Sequence, residues 1–178
     1  MSAEFPSVIA ATAQWLLRAY PPAPGTVNAV LAQEQARQAA TVAAWLRYPT
    51  RTDAALLGMA GPGGADRLDG LSGPGRSGDG TPSAGESAWR TWVDEVVASW
   101  AAALLADPAL AVTAVAALAG SEHAGAVPVE FRRLTAPDGG DRAAAPFLRH
   151  PDLTGEVAAL HRAELLARLD AGTVGTAG

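Results

Sequence analysis

The chain predicts an all-α fold, an antiparallel bundle of five or six helices with one long Gly/Pro-rich loop and one short extended segment. Three observations predict it. Apolar residues recur at helical spacing on both sides of the middle, and Pro and Gly fall where helices should start and stop. The middle itself runs through Gly61-Pro62-Gly63-Gly64, Gly73-Pro74-Gly75 and Gly80-Thr81-Pro82, so that Gly58 to Gly85 holds more than half of the 19 glycines. Such a composition buries too little apolar surface to offset its ordering entropy. The span 58–85 therefore reads as a flexible linker joining helical blocks 4–57 and 86–172 of one helical domain, 1–178.

The first helix is expected over 6–19, with Phe5, Val8, Ile9, Leu16 and Tyr20 to one side, Gln14 and Arg18 opposite, and Pro21-Pro22 as its stop. Thr26 is placed to cap a second helix running to Tyr48, whose apolar side holds Val27, Val30, Leu31, Val42 and Trp45 before Pro49 closes it. Thr52 would cap a short third helix through Leu56 and Leu57. Beyond the linker, Ser83-x-x-Glu86 has the form of a capping box. Trp89, Trp92, Val93, Val96, Trp100 and Leu104 then fall within about 120° of one another around a fourth helix, leaving Asp94 and Glu95 on its wet side.

Asp107, Pro108 and Gly120 delimit a fifth helix that is apolar all round except at Thr113, which places it with the fourth at the centre. The alternation of Val127, Val129 and Phe131 with Pro128, Glu130 and Arg132 reads as an extended segment or edge strand over 126–134, followed by a turn at 137–140. A last helix starts near Asp152 or Thr154 and runs to Leu169.

Composition removes several chemistries. All 13 basic side chains are Arg, and there is no Lys and no Cys, so Schiff-base, P-loop-lysine, thiol and thiolate-metal chemistry are out. The abundance of Ala, Gly, Pro and Arg fits a GC-rich bacterial coding sequence. A net charge of -5 and Arg residues interleaved with acids argue against nucleic acid as a partner. The nearly apolar run 98–119 is no membrane span, because Asp107-Pro108 lies at its centre. The start of the chain lacks a signal-peptide pattern, and a cytoplasmic location is expected.

Candidate sites are few. Gly73-Pro74-Gly75-Arg76-Ser77-Gly78 has the letters of a dinucleotide fingerprint, but its neighbours are more Gly and Pro rather than a strand and a helix. His161 and Glu164 could share a metal, yet Glu156 lies about 140° away and cannot complete a site, and His123 and His150 carry no assigned role. No metal or other cofactor is expected. The polar cluster on the second helix is more interesting: Glu34 and Gln38 lie near the line through Val27 and Trp45, a carboxylate and an amide on a face that should be buried. Arg37 stands beside them as a group to orient a ligand. Trp89 and Trp92 are candidate interface residues next to the linker.

With 49% hydrophobic residues, 17% charged residues and a mean hydropathy of +0.11, the leading expectation is a non-enzymatic accessory protein, adaptor or regulator. It would act through an apolar helical surface on a protein partner or a second copy. The alternative is a small-molecule binder or enzyme with a pocket between helices around Glu34.

Overall fold

In the computed structural model residues 5–60, 93–124, 130–145, 147 and 152–174 are described, and they are overwhelmingly helical. Helix α1 spans Phe5–Ala19, α2 Thr26–Arg47, α3 Arg51–Ala60, α4 Glu95–Ala106 and α5 Pro108–Ala117, which tightens into a 3-10 turn at Leu118–Gly120. Two short helices follow, α6 at Arg132–Thr135 and α7 at Gly139–Ala144, then α8 at Asp152–Leu160 and α9 at Arg162–Val174. No strand occurs among the described residues, and the fold is all-α.

The interior is built on α2 and α4, which pack along each other and so join the two helical blocks. Helix α1 packs along α2 and α8 along α4, while α5, α6 and α7 close around α2 and α9 packs on α4 and α5. Every residue from Val97 to Leu105 is buried, as are ten residues of α2, most of them alanines. Small side chains let the α2 and α4 backbones approach closely, and larger buried residues such as Trp15, Trp100, Leu104 and Phe147 fill the space around them.

Helix α1 forms as its spacing predicts, with Val8, Leu16 and Tyr20 buried and Gln14 exposed. Several other expectations are corrected. Gly25, not Thr26, is the N-cap of α2; its φ of 120° lies in the region open to glycine, and no side chain caps the helix there. The apolar side assigned to α2 is also displaced, because Val27 and Val30 are 71% and 59% exposed while the buried row runs through Ala32, Gln35, Ala36, Ala39 and Ala43. The first two turns of α2 project past the helices that cover the rest of it.

Helix α3 is capped by Thr50 rather than Thr52: Thr50 Oγ1 accepts from the Asp53 N–H at 3.1 Å, and Asp53 Oδ2 accepts from the Thr50 N–H at 3.1 Å. Gly58 belongs to this helix rather than to the linker. The rest of the linker from 61, the capping box at 83–86, Trp89 and Trp92 lie outside the described residues.

Helix α4 opens at Glu95 with Asp94 as N-cap, its Oδ1 accepting from the Val97 N–H at 3.0 Å. Asp94 is thus not on a wet side; it is 8% exposed. Asp107 and Pro108 start α5 as expected, with Asp107 Oδ1 accepting from Ala109 and Leu110. Yet α5 is peripheral, burying only the side of Leu110, Ala111 and Ala114. The central place is taken by α2, because its alanines fit against α4 without forcing the helices apart.

Of the supposed extended segment, 126–129 lies outside the described residues and 132–134 is helical, in α6. The 137–140 turn is instead the start of α7, where Asp138 and Asp141 form a reciprocal capping box. The last helix breaks at His161. There the His161 N–H donates to Ser99 Oγ at 3.1 Å, the Ser99 hydroxyl donates to the Val157 carbonyl at 2.6 Å, and the Trp100 indole N–H donates to the His161 carbonyl at 3.1 Å. Backbone groups freed by the break are satisfied by α4.

Candidate functional site

A groove lies where α2, α5 and α9 end. Trp45, Leu46 and Pro49 come from the end of α2, Thr113 and Ala116 to Ser121 from α5 and its 3-10 turn, and Arg168, Leu169, Ala171 and Gly172 from α9. It holds about 620 Å³, within the usual range of ligand sites. The floor is alanine and glycine; a methyl group added at Gly172 would sit 3.8 Å from Ala117 Cβ, so α9 and α5 are already in contact there.

The sequence holds this corner together through caps rather than through bulk. The Glu122 N–H donates to the Pro49 carbonyl at 3.2 Å, and Glu122 Oε2 accepts from the Arg51 N–H at 3.1 Å. His123 Nε2 lies 2.8 Å from the Tyr48 carbonyl oxygen, which can only accept, so that nitrogen carries the hydrogen. The His123 ring stacks on Trp45 at 5.9 Å, and Phe131 meets the other ring edge-on at 6.1 Å, which fixes the indole as a wall of the groove.

Arg47, Glu164, His161 and Glu95 form a row of ionisable side chains. Arg47 reaches Glu164 at 3.8 Å, and the two nitrogens of His161 lie 3.4 Å from Glu164 Oε2 and 3.5 Å from Glu95 Oε1. Arg47 also sits over the Tyr48 ring at 5.4 Å. Asp53 is held below the usual carboxylate range first by the Thr50 hydroxyl at 2.7 Å, with Arg168 and Arg47 adding smaller pulls. Burial, then the hydrogen bond to Asp94, pushes the Tyr48 phenol well above its ordinary value. His161, Glu95, Glu164, Tyr48 and Asp94 are not among the residues that line this groove.

The predicted cluster on α2 divides. Glu34 and Gln38 do meet, the Gln38 amide donating to Glu34 Oε1 at 3.3 Å, and Gln38 is buried while Glu34 is half-buried. Arg37 does not join them. It lines a second groove between α1 and α2, one row round the helix. His161 and Glu164, weighed in the sequence as two groups that could share a metal without completing a site, lie 3.4 Å apart, and among the described residues no group of three or more His, Cys, Asp or Glu is placed to hold a metal ion. His150, Trp89, Trp92 and the Gly73 to Gly78 motif lie outside the described residues. No described helix is long and apolar enough to cross a membrane.

Sequence reasoning missed the groove itself. Its one available signal was α5, which is apolar on every side yet too short to be surrounded; Val112, one turn before Ala116, is 52% exposed. Likewise Gln35 escaped notice, although it is fully buried, with its amide donating to the Asp141 carbonyl at 3.0 Å. The chain matches no protein-family model, no curated protein and no solved structure.

Proposed function

We propose that this chain is a non-enzymatic interaction protein whose larger groove receives the apolar side of a helix from a partner protein. The observation that carries the reading is the groove at the ends of α2, α5 and α9, about 620 Å³ with a floor of Ala116, Ala117, Gly120 and Gly172. Small residues in the floor let a helix backbone approach, while Trp45, Leu46, Leu118 and Leu169 offer walls for larger anchors at helical spacing. Exposed Val112 continues the apolar surface beyond the rim.

Site-specific photo-crosslinking tests this. A photoreactive residue at Ala116, inside the groove, should capture a discrete partner in the native host, whereas the same residue at exposed Ala143 on α7 should not. Substitution Gly172→Arg, which fills the groove, should abolish the capture without unfolding the chain. Equal labelling at both positions, or capture that survives the blocked groove, would overturn the reading. Capture of a second copy of this chain would move it from an adaptor to a self-associating protein.

A further inference from the structure

The second groove, between α1 and α2, presents an exposed cation, Arg37, with no carboxylate beside it among the described residues. It holds about 330 Å³ and is lined by Pro6, Ile9, Ala10, Ala13, Gln14 and Leu17 of α1 and by Gln33, Arg37 and Thr41 of α2. The last three are spaced by four residues and form one row along the helix. Among the described residues no Asp or Glu lines the groove, on a chain of net charge -5.

Four arginines are paired with carboxylates, Arg47 with Glu164, Arg132 with Asp138, Arg133 with Asp141 and Arg162 with Asp107, whereas Arg37, like Arg142, is in none of these pairs. Arg37 has no carboxylate partner among the described residues. Glu34, the nearest acid along α2, is engaged by Gln38 instead. The Thr41 hydroxyl donates to the Arg37 carbonyl at 2.7 Å, so the hydroxyl's hydrogen is taken and its oxygen remains an acceptor. What the groove offers is therefore one guanidinium, the amides of Gln14 and Gln33, and an apolar strip of Ile9, Ala13 and Leu17.

We infer that this groove is a binding site for a small monocarboxylate with an apolar tail. A guanidinium presents two parallel N–H groups that match one carboxylate, and the glutamine amides add donors that a carboxylate can accept. The tail lies on Ile9, Ala13 and Leu17. A phosphate ester, with a charge of about -1.5 to -2, would exceed the single cation in the groove. The site is separate from the α2–α5–α9 groove and does not depend on the function proposed for it.

Titration of the full chain with hexanoate, hexanol and hexylammonium, followed by ¹H–¹⁵N NMR, tests the inference. Hexanoate should give saturable shifts at the Arg37 guanidinium and the Gln14 and Gln33 amides, with hexanol at least about tenfold weaker, the loss of one charge-assisted contact. Arg37→Gln should lose about the same factor at an unchanged melting temperature, Arg37→Lys should keep part of it, and Arg142→Gln on α7 should change nothing. Equal response to hexanoate and hexanol, binding that survives Arg37→Gln, or no saturable shift at tens of millimolar ligand would each overturn the site. Gly172→Arg should leave hexanoate binding intact, which separates failure of this site from failure of the other.

Discussion

Tyr48 donates its phenolic hydrogen to Oδ2 of Asp94 at 2.5 Å, tying the residue that ends α2 to the residue that begins α4. The other carboxylate oxygen of Asp94 accepts from the Val97 N–H at 3.0 Å. One buried carboxylate thus caps a helix and joins the two central helices.

Removing either member should destabilise unequally. Tyr48→Phe leaves Asp94 Oδ2 unsatisfied and should cost about 1–2 kcal/mol, while Asp94→Ala loses the cap as well and should cost about 2–3 kcal/mol. At roughly 2–4 °C per kcal/mol for a chain of this size, both are measurable by thermal unfolding. A Tyr48→Phe loss equal to or larger than that of Asp94→Ala would mean the cap contributes nothing.

The two tyrosines set the alkaline limit. Burial, with Glu156 adding, pushes the Tyr20 phenol up to about 12, and Tyr48 is raised by burial and by Asp94. Both folded values exceed the unfolded one of about 10. Their contribution to stability is therefore complete below about pH 10 and is lost as pH rises, for Tyr20 through about 12. The chain holds 2 tyrosines, so phenolate absorbance reports on these groups alone. Between about pH 10 and 11 the folded protein should show little phenolate, and urea at the same pH should release it; half-ionisation near pH 10 without unfolding would contradict this.

Buried polarity on α2 and α7 divides into a paired and an unpaired part. Asp141 is fully buried and satisfied, by Arg133 and by the Asp138 N–H at 3.2 Å. Gln35 Oε1 has no partner among the described residues, and the Asp141 carbonyl that its amide reaches also accepts from the Ala145 N–H at 3.2 Å. Gln35→Met should thus be neutral or slightly stabilising, within about 0.5 kcal/mol, whereas Asp141→Ala should cost about 3 kcal/mol. Chemical denaturation of both variants decides it, and a costly Gln35→Met would show that Oε1 is satisfied in solution.

Two glycines should respond in opposite senses to alanine. Gly25 has φ 120°, with its nearest contact, Asn28 Nδ2, at 3.6 Å from an added Cβ, so Gly25→Ala is opposed by backbone strain rather than by crowding and should cost about 1–3 kcal/mol. Gly155 lies inside α8 with nothing within 4 Å, and Gly155→Ala should gain about 0.5–1 kcal/mol. Matched urea midpoints test the pair.

The fold class was legible because Pro, Gly and capping residues act locally: Asp107-Pro108 starts α5 and Pro21-Pro22 ends α1 wherever those helices lie. The faces were less legible. Val27 and Val30 have the spacing of a buried stripe, yet both are exposed, while the alanines and Gln35 one row away carry the packing. Of the polar cluster, the Glu34 and Gln38 contact followed from their spacing of four along one helix. That Arg37 joins α1 in a groove, and that three helix ends meet around Trp45, depend on residues far apart in the chain.

By itself, then, the order of residues determined that this protein is helical, that it lacks lysine and thiol chemistry, and where most long helices begin and stop, since those properties follow from covalent structure and from neighbours within one turn. Tertiary structure alone decided which helix is central, that Asp94 is buried, and where the two grooves open. Alanine is nearly neutral as a local signal but decisive in packing, because its small volume tells on the fold only when a second helix comes close.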